Sequence, residues 1–206
     1  MSIKQFEDIK NVLYINLERR TDRKVHFEEE IKKLNLNAIR FNAIRDDDGE
    51  KGCLLSHIKC LEMAIENKYD HVLIFEDDVV FINPKLLITQ FNKFVETHDK
   101  WDVVLFGGNN TDKYKEIDEC SIKVKAVAST VAYLINGHYI KKILENYKET
   151  LIKKKPVDVG WWSLQFHDNW YMLIPLSVEQ MNDYSDILKR KINYSNLMLN
   201  LKHSLS

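Results

Sequence analysis

The chain is expected to fold as an α/β protein with a mostly parallel central sheet flanked by helices. Three observations lead there. Short apolar runs rich in strand formers recur along the first half, segments with helical apolar spacing separate them, and the separating helices are about 10 to 15 residues long, the length of a crossover between parallel strands. The 206 residues suit one domain spanning 1–206, and a chain of this size buries about two thirds of its unfolded surface, enough for a core without staples.

In order, residues 12–17 (VLYINL) form an apolar strand, and the polar cluster at 18–24 opens an amphipathic helix reaching about residue 34. Residues 38–44 (AIRFNAI) are a second strand, 46–51 (DDDGEK) are a loop by composition ending at Gly52, and 53–67 carry Leu54, Ile58, Leu61 and Ile65 at helical spacing. Residues 71–75 (HVLIF) are a continuous apolar strand, 85–97 an amphipathic helix, and 101–106 a further buried strand closed by Gly107, Gly108, Asn109 and Asn110. Such alternation signals right-handed crossovers. Beyond it, 122–128 and 170–174 read as strands and 137–147 as a helix, with irregular, aromatic sequence between. In an open α/β sheet ligands bind beyond the carboxyl ends of the strands, so the residues after each strand are the candidates for function.

Composition narrows the classes. With 30 Lys plus Arg against 31 Asp plus Glu, a net charge of -1 supplies no global field for a polyanion, which argues against a nucleic-acid partner. Cys53, Cys60 and Cys120 lack the paired spacing of zinc or redox motifs and read as free thiols, with Cys53 and Cys60 in the core face of a helix. Residues 1–10 alternate charged and apolar residues, unlike a signal peptide, and no stretch approaches the ~20 apolar residues of a membrane span. The expected location is the cytoplasm, with contact at the inner membrane face left open. The basic runs 153–155 and 189–191 are either solvated faces or surfaces that favour an anionic acceptor or membrane.

Three carboxylates inside an apolar stretch need a reason, because burying an unpaired one is costly unless a cation offsets it. If the backbone stays extended, Glu76 and Asp78 share a face and Asp77 takes the other. Two hard oxygen ligands suit Mg²⁺ or Mn²⁺, which complete their shells with water and substrate phosphates and neutralise charge on a departing diphosphate. The competing reading is a strand end whose acids cap a following helix. Asn16, Leu17, Arg20 and Arg23 follow the first strand, where arginines bind phosphate and backbone amides recognise a base, or simply open a solvated helix. Glu50, Gly52, Ser56 and His57 lie where a loop meets a helix amino terminus, near enough for polar groups to approach a sugar or its phosphates; His57 taken alone reads as a packed or hydrogen-bonded histidine before a catalyst. A phosphoryl-transfer enzyme also sets acids after a parallel strand, but no GxxxxGK[ST] phosphate loop is present.

Taken together, INLERRTDR, GEKGCLLSH and IFEDDVVF resemble glycosyltransferase family 25, which includes bacterial lipopolysaccharide sugar transferases and collagen galactosyltransferases. Ser129 to Ile135, then Pro156, Val157 and Asp158, and later Gln180 with Ser185, Asp186 and Ile187, look like further landmarks, so the resemblance covers about 11–187. It implies a GT-A-type nucleotide-diphospho-sugar transferase fold and a metal-dependent, inverting transfer of a hexose, galactose first, from a UDP-sugar. The acceptor would be a hydroxyl on a saccharide, glycolipid or hydroxylysine-type protein side chain. By the same resemblance Glu76 and Asp78 match the outer positions of a DxD motif for Mn²⁺, with Mg²⁺ as alternative. Asn16, Arg20 and Arg23 match the nucleotide motif, and Asp158 matches an acid assigned as general base, direct metal contact being the other reading. Glu76 is longer than the usual aspartate, leaving direct or water-mediated contact open. Trp161 and Trp162 are candidates to stack on a sugar, or to supply one core residue, and His167 is a candidate extra ligand. A catalytically silent nucleotide-sugar-binding or scaffold module of the same fold is the alternative function.

Overall fold

The computed structural model describes residues 3–112, 114–187, 189–194 and 198; the domain expected over 1–206 extends at both ends beyond them. The chain runs β1 (Val12–Asn16), α1 (Thr21–Lys32), β2 (Ile39–Asn42), α2 (Gly49–Glu66), β3 (His71–Glu76), β4 (Val79–Phe81), α3 (Pro84–Thr97) and β5 (Val103–Leu105). There follow β6 (Asn109–Asn110), β7 (Lys115–Asp118), β8 (Ser121–Lys123), β9 (Val127–Ala128), β10 (Ala132–Asn136), α4 (Ile140–Ile152), α5 (Val157–Gly160) and α6 (Trp162–His167). Four strands close the described chain: β11 (Trp170–Leu173), β12 (Val178–Gln180), β13 (Tyr184–Ser185) and β14 (Arg190–Lys191).

The α/β expectation holds. An eight-stranded sheet has the order β2-β1-β3-β10-β5-β11-β8-β7, in which only β10 and β8 run against the rest. Side chains of β3 alternate between its faces: Leu73 and Phe75 join Phe27, Phe91 and Phe94 of α1 and α3, whereas Val72 and Ile74 join Leu54, Ile58 and Ile143 of α2 and α4. Helices on both faces explain why β1 and β10 read as near-continuous apolar runs. No helix among the described residues is long and apolar enough to cross a membrane.

Several boundaries differ from the sequence reading. The segment expected as a loop over 46–51 is helical from Gly49, because the Asp48 side chain accepts the amides of Glu50 and Lys51 and caps the first turn. Residues 18–20 form a turn before α1 instead of its first turn. The strand expected over 122–128 is two, since β8 pairs with β11 while β9 pairs with β6. The largest omission is β10, which lies antiparallel between β3 and β5 at the middle of the sheet.

Candidate active site

Parallel pairing sets Ile15 of β1 beside Glu76 of β3, so both strands end at one edge of the sheet and the residues after them share that edge. The extended backbone stops at Glu76; Asp77 and Asp78 form a turn into β4. The simple alternation of the triplet therefore gives way to three separate environments. The Asp77 carboxylate accepts from Asn16 Nδ2 at 2.7 Å and pairs with Arg23 at 3.2 Å. Asp78 pairs with the same Arg23 nitrogen through Oδ2, also at 3.2 Å, while its Oδ1 is buried with no donor in hydrogen-bond geometry among the described residues. Glu76 accepts from the Thr130 hydroxyl and from Gln180 Nε2 at 3.3 Å.

These placements polarise the carboxylates. Burial, then the charge of Glu76, pushes the Asp78 carboxyl up to about 7, against the opposing pull of Arg23. Burial acts on Glu76 as well, but His57, the Thr130 hydroxyl and Arg23 outweigh it and hold Glu76 below the ordinary range. Burial likewise raises Asp77, partly offset by Arg23. An orphaned carboxylate oxygen beside a second, ionised carboxylate is a donor set that fits a hard divalent cation.

Two adjoining cavities open at this edge, of about 330 Å³ and about 310 Å³. Leu17, Arg20, Arg23, Gly52, Ser56, His57 and Asp78 line the larger one, Glu50 and Asp158 the smaller, and Glu76 lines both. Asn16 lines neither: 1% exposed, it ties the end of β1 to Asp77, to the Arg20 carbonyl and to Arg40. Ser56 also has a local task, donating to the Gly52 carbonyl and accepting the Ile44 amide. A side-chain carbon on Gly52 would stand 2.8 Å from the Ile44 oxygen, so the absence of one lets α2 approach the segment after β2.

Arg20 and Arg19 both pair with Asp186, at the far end of the sequence, and Arg23 donates to the Tyr184 carbonyl at 2.9 Å. The stretch holding β13 and β14 is thereby fastened over the larger cavity. Asp158 is held otherwise: its Oδ2 accepts the Ser129 amide at 2.8 Å, and burial raises its proton affinity, moderated by that hydrogen bond. Ser129 stands at φ 80 and donates its hydroxyl to Gln180 Oε1 at 2.9 Å, which links the supports of Asp158 and Glu76. Sequence reading placed Ser129 and Gln180 among landmarks without a role, since nothing in residue type announces a bend that turns one residue towards two others.

Trp161 is fully buried and Trp162 partly so, and both indole N–H groups donate to the Val127 carbonyl, the core reading of that pair. His167 is exposed at the end of α6 and lines neither cavity.

Comparison with known proteins adds an independent finding. Residues 47–161 match the family model described as glycosyltransferase family 25 (LPS biosynthesis protein). A Haemophilus influenzae protein provisionally named a glycosyltransferase is 31% identical over 148 residues, covering 68% of this chain and 49% of that one. A glycosyltransferase 25 family member of Anopheles gambiae is 27% identical over 184 residues, covering 73% of this chain and 31% of the relative. The chain thus spans half or less of the length of these relatives. Among solved structures, mannose-1-phosphate geranyltransferase from Thermus thermophilus superposes with a TM-score of 0.49 at 8% identity, covering 80% of this chain and 73% of the other.

Proposed function

Because the chain belongs to glycosyltransferase family 25, we propose that it transfers a hexose from a UDP-sugar, galactose first, to an acceptor hydroxyl with inversion at the anomeric carbon. The observation that carries this reading is the joint opening of Glu76, Asp78 and Arg23 onto one cavity, with Asp78 Oδ1 buried and without a donor in hydrogen-bond geometry among the described residues. Glu76 and Asp78 would hold Mn²⁺, or Mg²⁺, and a cation there supplies charge neutralisation to the leaving diphosphate. Arg20 and Arg23 offer guanidinium groups to the phosphates, and Leu17 supplies an apolar wall for the nucleoside end.

Glu76 stands where the two cavities meet, which supports a donor in the larger and an acceptor in the smaller. Asp158 in the smaller cavity takes the proton from the acceptor hydroxyl at Oδ1 or Oδ2 as that oxygen attacks the anomeric carbon. Burial raises its affinity for that proton, while the Ser129 amide fixes its orientation. A saccharide acceptor, as in lipopolysaccharide synthesis, is favoured by the description attached to the family model.

The test is UDP release across a panel of UDP- and GDP-sugars, with Mn²⁺, Mg²⁺ or EDTA, for wild type and Asp78→Ala. Turnover of one UDP-sugar that needs the cation and vanishes in the variant is expected. Nucleotide binding without turnover of any sugar would instead favour a silent binding module.

A further inference from the structure

Cys53 and His57 stand one turn apart on α2 and so present side chains on the same face. Across from them is Glu76. One ligand atom from each, Sγ, an imidazole nitrogen and a carboxylate oxygen, all lie within 4.8 Å of one another. His57 is fully buried, and its Nε2 has no partner in hydrogen-bond geometry among the described residues, the approach to Glu76 Oε1 being 3.5 Å.

Zinc bonds of about 2.3 Å to sulfur and about 2.0–2.2 Å to nitrogen and oxygen place tetrahedral ligand atoms roughly 3.3–3.6 Å apart. The His57 to Glu76 separation already meets that spacing, and the thiol lies within 4.8 Å of both other ligand atoms. The surroundings are built for a ligating imidazole. His57 Nδ1 is 2.8 Å from the Tyr133 hydroxyl, which orients the ring and lets Nε2 present its lone pair, while Thr130 and Gln180 hold the Glu76 carboxylate. Cys53 lines both cavities, so the fourth position faces open space.

We propose that Cys53, His57 and Glu76 form a second metal site, a thiolate, imidazole and carboxylate set that takes a soft or borderline divalent cation of the zinc class. It differs in chemistry from the all-oxygen pair of Glu76 and Asp78, and binding releases the thiol proton as the Cys53 sulfur joins the cation. The two sites share Glu76, so occupation by a zinc-class ion draws that carboxylate away from the hard ion. Apart from this sharing, the inference does not rest on the transferase reading.

Co²⁺ is the probe, because a thiolate bound to it produces a charge-transfer band in the near ultraviolet that oxygen and nitrogen ligands do not. Titration into the reduced, EDTA-treated chain is expected to raise that band to saturation at one equivalent, and Zn²⁺ to abolish it by competition. Cys53→Ser loses the band, His57→Gln weakens Co²⁺ binding by about tenfold or more, and Cys60→Ala, Cys120→Ala and Asp78→Ala retain it. Absence of the band from the wild type, or its persistence in Cys53→Ser, overturns the site. Cys53 is only half-buried, so its serine variant decides the question even if the buried His57 does not tolerate replacement. Since Co²⁺ binding needs no sugar donor, a band without UDP release, or UDP release without a band, separates failure of one reading from failure of the other.

Discussion

Asp158 and Asp78 are both carboxyls that burial pushes towards the neutral form, but their neighbours differ, and so do their proposed tasks. Asp78 faces a second carboxylate; Asp158 faces an amide. A base acts only when deprotonated, so a raised Asp158 means that kcat/KM falls as pH drops through a value above the ordinary ~3.9 of aspartate. Asp158→Asn is expected to lower transfer by about 10²- to 10⁴-fold and to erase that acid limb, while UDP binding persists. A pH profile with and without the variant checks it. Ser129→Gly is expected to leave stability nearly unchanged, because relief of the left-handed backbone, ~1 kcal/mol, offsets loss of the bond to Gln180, ~1 kcal/mol. Its kcat is expected to fall about fivefold as Asp158 and Glu76 lose their link. Denaturant melts alongside initial rates separate the two effects.

Among the elements, α2 bears most on the site, since it carries Glu50, Gly52, Cys53, Ser56 and His57 towards both cavities. Its start depends on Asp48, whose carboxylate satisfies two amides that would otherwise lack partners. Asp48→Ala is expected to cost about 1 kcal/mol, read as a lower denaturation midpoint with unchanged slope. The loop reading of 46–51 held for 46–48 and failed from Gly49, because Asp, Gly and Glu serve a helix start as well as a loop. β10 escaped notice for a related reason. Sequence reading leaves 129–136 within an irregular stretch, and the antiparallel place of β10 between β3 and β5 is a matter of strand order, which no local pattern reveals.

Across the whole molecule, the acidic edge is the place where folding and binding pull against each other. Asp77 and Asp78 share a single guanidinium, Arg23, whose charge also reaches Glu76, and the mutual repulsion of the three acids is set against the packing of two hydrophobic faces. Asp78→Asn removes one of the buried acids and is expected to raise the melting temperature of the metal-free chain by a few degrees. The same variant is expected to lose the stabilisation that Mn²⁺ and UDP together confer on the wild type, about 2.7 kcal/mol at a hundredfold excess over Kd. Thermal melts of both chains, with EDTA and with Mn²⁺ plus UDP, provide the comparison. The fastening of β13 and β14 by Arg19, Arg20 and Arg23 belongs to this scale too, because it joins residues more than 150 positions apart.

From the sequence alone came the α/β class, the strand that ends in Glu76, the arginines after the first strand and the family resemblance, all of which rest on local order: apolar period, charge and short strings. Only the tertiary structure decided how those pieces meet. It withdrew Asn16 from the cavities to brace Asp77, moved Trp161 into the core, and brought Ser129, Thr130 and Gln180 to support the acids. It also turned Cys53 and His57 of one helix towards Glu76 of a strand. Contacts of that kind depend on strand order and on which face a helix buries, and those are settled by packing the whole chain at once.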